Sequence, residues 1–182
     1  MRTDLRGWAQ RLPAGTRGCL WAVASTVVFG VLDAAIKGMG STMHPFQIAF
    51  FRCFFGFLVV APVVLAMGGF ARVATKRIGG HFVRTMLGYS AMATGFYALT
   101  HMPIADAVAL GYVRPLFLVV LAVFLLGEKV RWRRWTATAF GFVGVIVMVR
   151  PGAGTFDPVA LVALLAGFLV ACVTVALKKL SR

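Results

Sequence analysis

Residues Ala105–Leu126 read ADAVALGYVRPLFLVVLAVFLL, 22 residues with one acid, Asp106, near the start and one base, Arg114, near the middle. As a helix rising 1.5 Å per residue this stretch is ~33 Å long, enough to cross a ~30 Å hydrocarbon core. It has no polar face of the kind a water-exposed helix carries. Its reading as a membrane span decides the fold class.

Working outward, similar apolar runs cover about Gly18–Gly38, Pro45–Met67, Phe82–His101, Trp135–Val149 and Pro158–Leu177, so the sequence predicts an all-α integral membrane protein with six transmembrane helices. Of the 182 residues 60% are hydrophobic and 13% charged, against the ~45–50% and ~25% of soluble domains. Six spans and short loops leave no room for a separate soluble catalytic or DNA-binding domain. Turns fall at Gly40–Pro45, at Met102-Pro103 and at Pro151–Gly154, and Gly127-Glu128 closes the fourth span. Within that span Pro115 removes a backbone donor and predicts a kink near mid-membrane.

The net charge of +14 raises the question of nucleic acid, but its placement answers it. Arg2, Arg6, Arg11 and Arg17 precede the first span; Arg72, Lys76, Arg77 and Arg84 lie between or at the ends of the second and third. Lys129, Arg131, Arg133 and Arg134 separate the fourth and fifth, and Lys178, Lys179 and Arg182 follow the sixth. These clusters hold 15 of the 19 basic residues, all on one side of the membrane. The positive-inside rule makes that side cytoplasmic, with both termini on it, and the same charge suits anionic membrane lipids better than nucleic acid.

Cys19, Cys53 and Cys172 are isolated in apolar runs and read as packing residues; His44, His81 and His101 are equally scattered, and no metal site or cofactor is expected. The sequence has no HExxH, no GxSxG and no Walker A loop, so neither a metalloprotease-type or hydrolase-type enzyme nor ATP-driven transport is indicated, and no catalytic residue is assigned. Small residues at helical spacing, Ala91 and Gly95, Ala137 and Gly141 with Gly144, suit close helix contact. Phe50, Phe51, Phe54, Phe55 and Phe57 occupy too many faces of one helix to form a cofactor stripe and read as facing lipid and neighbouring helices. Placing Lys37 on Lys178 aligns the first span with the sixth, a weak repeat in which the sixth runs in the opposite orientation.

Ionisable groups inside spans cost several kcal/mol unless paired or wet, which makes Asp33, Lys37, Arg52 and Arg114 the most informative residues. Asp33 lies ~22 Å from the inner end of its helix and Arg52 ~10 Å from the outer end of the next, so their depths nearly coincide. Lys37 shares a helix face with Asp33, four residues on, so Asp33 between Lys37 and Arg52 reads either as a structural ion pair or as part of a substrate site. Arg114, ~14 Å from the outer surface, has no acid at its level, and its partner is an anionic solute, a carbonyl freed by the helix break or a carboxylate elsewhere. Tyr89, Tyr97 and Tyr112 are candidates to line the same cavity, the alternative being interfacial or packed tyrosines.

Pro103-Ile104-Ala105-Asp106-Ala107, Pro115-Leu116-Phe117, Leu126-Gly127-Glu128-Lys129, Gly141-Phe142-Val143-Gly144-Val145 and Arg150-Pro151-Gly152 occur in an order that resembles the EamA-type domain of the drug/metabolite transporter superfamily, and Arg52 also matches that pattern. The resemblance implies a cytoplasmic basic N-terminus over residues 1–17, one five-helix repeat over 18–152, and an outer turn, the first helix of a second repeat and a basic end over 153–182. It also implies a secondary transporter in the inner membrane that moves a small metabolite or drug-like solute without ATP, for which the residues read above, Asp33, Arg52, Tyr89, Tyr97, Tyr112 and Arg114, are the substrate-binding candidates. Family members have ten helices around a central cavity, so these six spans imply either that a second copy or a second repeat completes the site, or that the chain is a truncated, non-transporting fragment or assembly subunit.

Overall fold

A computed structural model describes residues 13–66, 77–127, 130–149 and 157–180. The elements are α1 (Ala14–Met39), α2 (Pro45–Ala66), α3 (Ile78–His101), α4 (Ile104–Gly111), α5 (Arg114–Leu126), α6 (Trp132–Val149) and α7 (Pro158–Leu180), with no strand among the described residues. Helices α4 and α5 together form one apolar span, so the chain is a six-span helical membrane protein. Four of the spans, Gly15–Met39, Pro45–Ala66, Ile104–Leu126 and Pro158–Leu180, are long and apolar enough to cross a membrane by length and composition. Every span end lies within four residues of its expected place. The Pro151–Gly154 turn and the basic residues Arg2, Arg6, Arg11, Arg72, Lys76, Lys129, Arg150 and Arg182 lie outside the described residues.

The helix ends follow from local chemistry. Pro45 occupies the first helical position of α2, and the His44 N–H donates to Gln47 Oε1 at 3.2 Å, the reciprocal half of a capping box. At α7 the Asp157 carboxylate accepts the Val159 N–H at 2.9 Å, with Pro158 again leading the helix. Gly127 ends α5 at φ 64°, ψ 24°, a left-handed conformation that costs glycine nothing. The kink expected at Pro115 takes the form of a two-residue break in the α-helical hydrogen bonding, with Tyr112 and Val113 still right-handed. Tyr112 and Val113 form a turn, their N–H groups donating to Ala109 O and Leu110 O, and α5 restarts with Arg114 and Pro115 in its first turn. With no N–H on residue 115, the Gly111 carbonyl loses the donor a continuous helix would give it.

Two ends of the helix group can be distinguished: a hairpin end, with residues 40–44, 102–103 and 157, and a basic end, with Arg17, Arg77, Gly127 and Lys179. Helix α7 runs antiparallel to α3 and is central, touching α3, α4 and α5. Its buried face is Ala160, Ala163, Ala166, Gly167, Ala171 and Val175, set against Ala91, Ala98 and Gly95 of α3. A Cβ added at Gly95 would stand 3.8 Å from Ala166 Cβ, and one at Gly80 2.6 Å from Leu180 Cδ2, which fixes the antiparallel register. Small side chains let two backbones approach closely where water provides no driving force between helices.

One apolar cluster, Ile36, Ile48, Ala49, Phe96 and Leu99, ties α1 and α2 to α3 near the hairpin end. A second, Ala98, Met102, Leu110, Ala160 and Ala163, joins the α3–α4 corner to α7. Gly141 of α6 faces Leu116 of α5, with 2.7 Å from a would-be Cβ to Leu116 Cδ1, and Phe117 makes edge contacts with Phe142 and Phe168, each at 5.5 Å. The phenylalanines of α2 are exposed on the outside of the group, Phe50 stacked on Phe54 and Phe51 on Phe55. Arg84 is not at a helix end: it lies inside α3, and its Nε is buried without a partner.

Candidate functional site

A cavity of about 640 Å³ opens between α1, α2, α3, the α4–α5 break and α7. Asp33, Arg52, Tyr112 and Arg114 line it together with Phe96 and Gly167, so four of the six candidate residues, from three separate spans, share one space. Tyr89 and Tyr97 do not line it. Tyr89 packs against the Ile36–Phe96 cluster, and the Tyr97 ring stacks on His101 at 4.1 Å between centroids. For Tyr97 the reason is rotational: α3 turns Gly88, Met92, Gly95 and Phe96 toward the cavity, and Tyr97, one residue after Phe96, points about 100° away from it, whereas Tyr89 shares the face of Phe96 and is taken up by the cluster there.

The arrangement of Asp33 between two bases is not what forms. Lys37 turns away from Asp33 and donates from Nζ to Thr100 O at 2.9 Å and Met102 O at 2.8 Å. Those carbonyls end α3, where the helix leaves acceptors without donors and its dipole favours a cation. The contact is close because Gly40 lies against Thr100: a Cβ there would be 2.7 Å from Thr100 Cβ and would collide with Cγ2. Lys37 and Gly40 thus clasp the hairpin end of α1 to the α3–α4 corner. Among the described residues Asp33 is left half-buried in the cavity wall with no ion-pair partner.

Arg52 follows the buried Ile48 and Ala49 by one turn of α2, and its Cζ stands 5.5 Å from the centroid of the Phe96 ring. A guanidinium over an aromatic face is held by the ring quadrupole while its N–H fork stays free for an anion. Arg114 leaves the first turn of α5 between two glycines. Its Nη2 would be 3.3 Å from a Cβ on Gly111 and its Cγ 3.7 Å from one on Gly167, so both positions give the side chain room to cross α7 and fold back over α4. Neither guanidinium meets a carboxylate among the described residues. Tyr112, in the break itself, is 74% exposed at the rim.

Sequence reasoning missed Phe96, Gly111 and Gly167. Phe96 and Gly111 carry no sequence signal for these roles, whereas the run Ala163-xxx-Gly167-xxx-Ala171 marks a close-contact face of α7. Among the described residues no group of three or more His, Cys, Asp or Glu is placed to hold a metal ion. His44 stacks on Phe46, and a His101 ring nitrogen is 2.9 Å from both Thr100 Oγ1 and Tyr97 O.

Comparison with known proteins agrees with this architecture. The chain is 36% identical over 162 residues to the S-adenosylmethionine uptake transporter of Rickettsia prowazekii, covering 89% of this chain and 55% of the relative. It is 29% identical over 167 residues to the pseudopaline exporter of Pseudomonas aeruginosa, covering 90% and 57%. Against the riboflavin transporter of Vibrio cholerae it is 27% identical over 172 residues, covering 91% and 56%. The chain spans about half the length of these curated relatives, and no solved structure matches it. The sequence profile of the EamA-like transporter family matches residues 16–150, five of the six spans and all the ionisable cavity residues, so the chain belongs to that family.

Proposed function

We propose that this chain supplies the solute-binding wall of a secondary transporter that moves a small organic metabolite across the bacterial inner membrane without ATP. The observation that carries the reading is the meeting of Asp33, Arg52 and Arg114, from three apolar spans, in one cavity. Such groups are expensive in hydrocarbon and are retained where a solute or water meets them. Membership of a transporter family, with relatives named for S-adenosylmethionine, pseudopaline and riboflavin, supports the same reading.

In this proposal residues 18–152 act as one five-helix repeat and α7 as the first helix of a second. Arg52, Tyr112 and Arg114 are exposed along the cavity, and a second repeat like the additional length of the relatives, or a second copy of the chain, closes that side. Both termini are cytoplasmic, since the basic clusters share one side.

The test is flux. The full chain reconstituted in proteoliposomes should carry at least one of S-adenosylmethionine, riboflavin and the amino-dicarboxylate phenylalanyl-glutamate down a gradient above protein-free vesicles, with no change on adding ATP. Flux at the level of empty vesicles for all three solutes overturns the reading. Orientation is checked separately in a background lacking Cys19, Cys53 and Cys172: a membrane-impermeant thiol reagent applied to cells should label Ser41→Cys and spare Thr75→Cys, and the reverse pattern inverts the topology.

A further inference from the structure

The cavity holds an uneven set of charges, two guanidiniums and one carboxylate, and within the chain they do not neutralise one another. Taking the cavity as the solute site, on which this inference rests, we propose that its solute is an amino-dicarboxylate, with more carboxylates than amines, whose carboxylates meet Arg114 and Arg52 and whose ammonium meets Asp33.

The base nearest to Asp33 on its own helix is unavailable. Lys37 has given two of its N–H donors to Thr100 O and Met102 O, at distances of strong charge-assisted bonds. Arg52 is steered by Phe96, and Arg114 by the space above Gly111 and Gly167. Both guanidiniums are therefore positioned by their own neighbours, and among the described residues none of the three charges is paired.

The solute class follows from matching these charges. An unpaired ion in a low-dielectric wall is costly, and the best ligand leaves none unmatched. A neutral solute leaves all three bare. A simple cation satisfies Asp33 and leaves two guanidiniums facing it. A dicarboxylate without an amine satisfies both arginines and leaves Asp33 unmatched. Of these solutes, one with two acids and one base pairs every charged group of this wall, and the arginine fork adds bidentate geometry for each carboxylate. Phe29, Phe96 and Tyr112 supply aromatic surface for the body of such a molecule, in a volume that suits a solute of drug-like size.

The probe is the dipeptide phenylalanyl-glutamate, which carries two carboxylates, one ammonium and a ring. Equilibrium dialysis with the full chain in detergent compares it with phenylalanyl-glutamine, which lacks one carboxylate, and N-acetyl-phenylalanyl-glutamate, which lacks the ammonium. The wild-type chain should prefer the parent to each analogue by about tenfold or more, the scale of a lost partner in a desolvated charge pair. Arg114→Gln should remove the preference over the glutamine analogue and keep that over the acetylated one; Asp33→Asn should do the opposite. Arg114→Lys, which keeps the charge without the fork, should retain part of the first preference and covers the case in which the glutamine variant does not fold. Equal binding of the three probes, no binding of the parent, or loss of both preferences in either variant overturns the inference. Flux of the same dipeptide into proteoliposomes separates the two claims: the binding pattern without flux keeps the inference and removes transport, whereas flux without the pattern does the reverse.

Discussion

The chain interrupts its helices twice within twelve residues, at Met102-Pro103 and at Tyr112-Val113, using the same components with opposite results. Each break has a proline in it or just after it, carbonyls released from a helix end, and a long basic side chain within reach. At the first, Lys37 comes from another helix and bonds both Thr100 O and Met102 O, Gly40 closes the gap, and Met102 is buried. At the second, Arg114 directly follows the break, meets no carboxylate among the described residues and lies in the cavity wall beside an exposed Tyr112. A cation that completes a helix end is structural. One that a helix break carries into a cavity unpaired is, in the proposed reading, left for a ligand.

The largest effect expected from this contrast is in stability. Lys37→Met strips two charged hydrogen bonds from the α3 end and should lower unfolding stability in detergent by about 2–3 kcal/mol, a discounted sum for two partly buried bonds. Arg114→Met, at the second break, should leave stability unchanged or raise it, because an apolar residue replaces an unpaired ion. Binding of phenylalanyl-glutamate should respond in the opposite order, surviving Lys37→Met in the folded fraction and failing in Arg114→Met. Equal loss of stability in the two variants would make the breaks equivalent and end the distinction.

A finer test uses the glycine at each break. Gly40→Ala drives a methyl into the backbone-anchored Thr100, and overpacking of that kind costs about 1–3 kcal/mol. Gly111→Ala meets only the far end of the Arg114 side chain, 3.3 Å away, which can move a few tenths of an ångström. Its stability should change by less than about 0.5 kcal/mol, the range of substitutions away from such fixed contacts. Dipeptide affinity should fall several-fold, since the displaced guanidinium is the proposed ligand contact. Thermal unfolding and dialysis on the two variants decide the matter. A Gly111→Ala chain that is as destabilised as Gly40→Ala would mean that Arg114 is packed rather than poised.

The contrast also marks what the sequence makes legible. Span ends are readable because prolines, glycines and the limits of apolar runs are local signals: Pro45, Pro158 and Gly127 sit where the helices begin or stop. The break before Pro115 is readable for the same reason. The partner of Lys37 is not, because spacing along one helix reveals only neighbours such as Asp33, whereas the carbonyls of Thr100 and Met102 exist on every residue and leave no mark. The central place of α7 is equally hidden, although its Ala163, Gly167 and Ala171 spacing is visible. Rotation is the weakest point of all, since helices that are apolar on every face give no phase.

Tyr97 is the clearest case of that missing phase, and it yields the smallest predicted effect. The tyrosine shares a helix with Phe96, which faces the cavity, yet its ring stacks on His101 at an interplanar angle of 18°. Tyr97→Phe keeps the ring and its stacking surface and removes only a hydroxyl that has no part in the cavity wall. Dipeptide affinity should stay within about twofold and stability within about 0.5 kcal/mol, the range of substitutions away from packed or paired groups. Tyr112→Ala, at the exposed rim, should weaken binding several-fold through lost aromatic contact, with little change in stability. Dialysis on both variants reads the rotation of α3 directly: if Tyr97→Phe weakens binding as much as Tyr112→Ala, the helix presents Tyr97 to the solute, and the wall of the cavity includes the face that Gly95 and Phe96 now define without it.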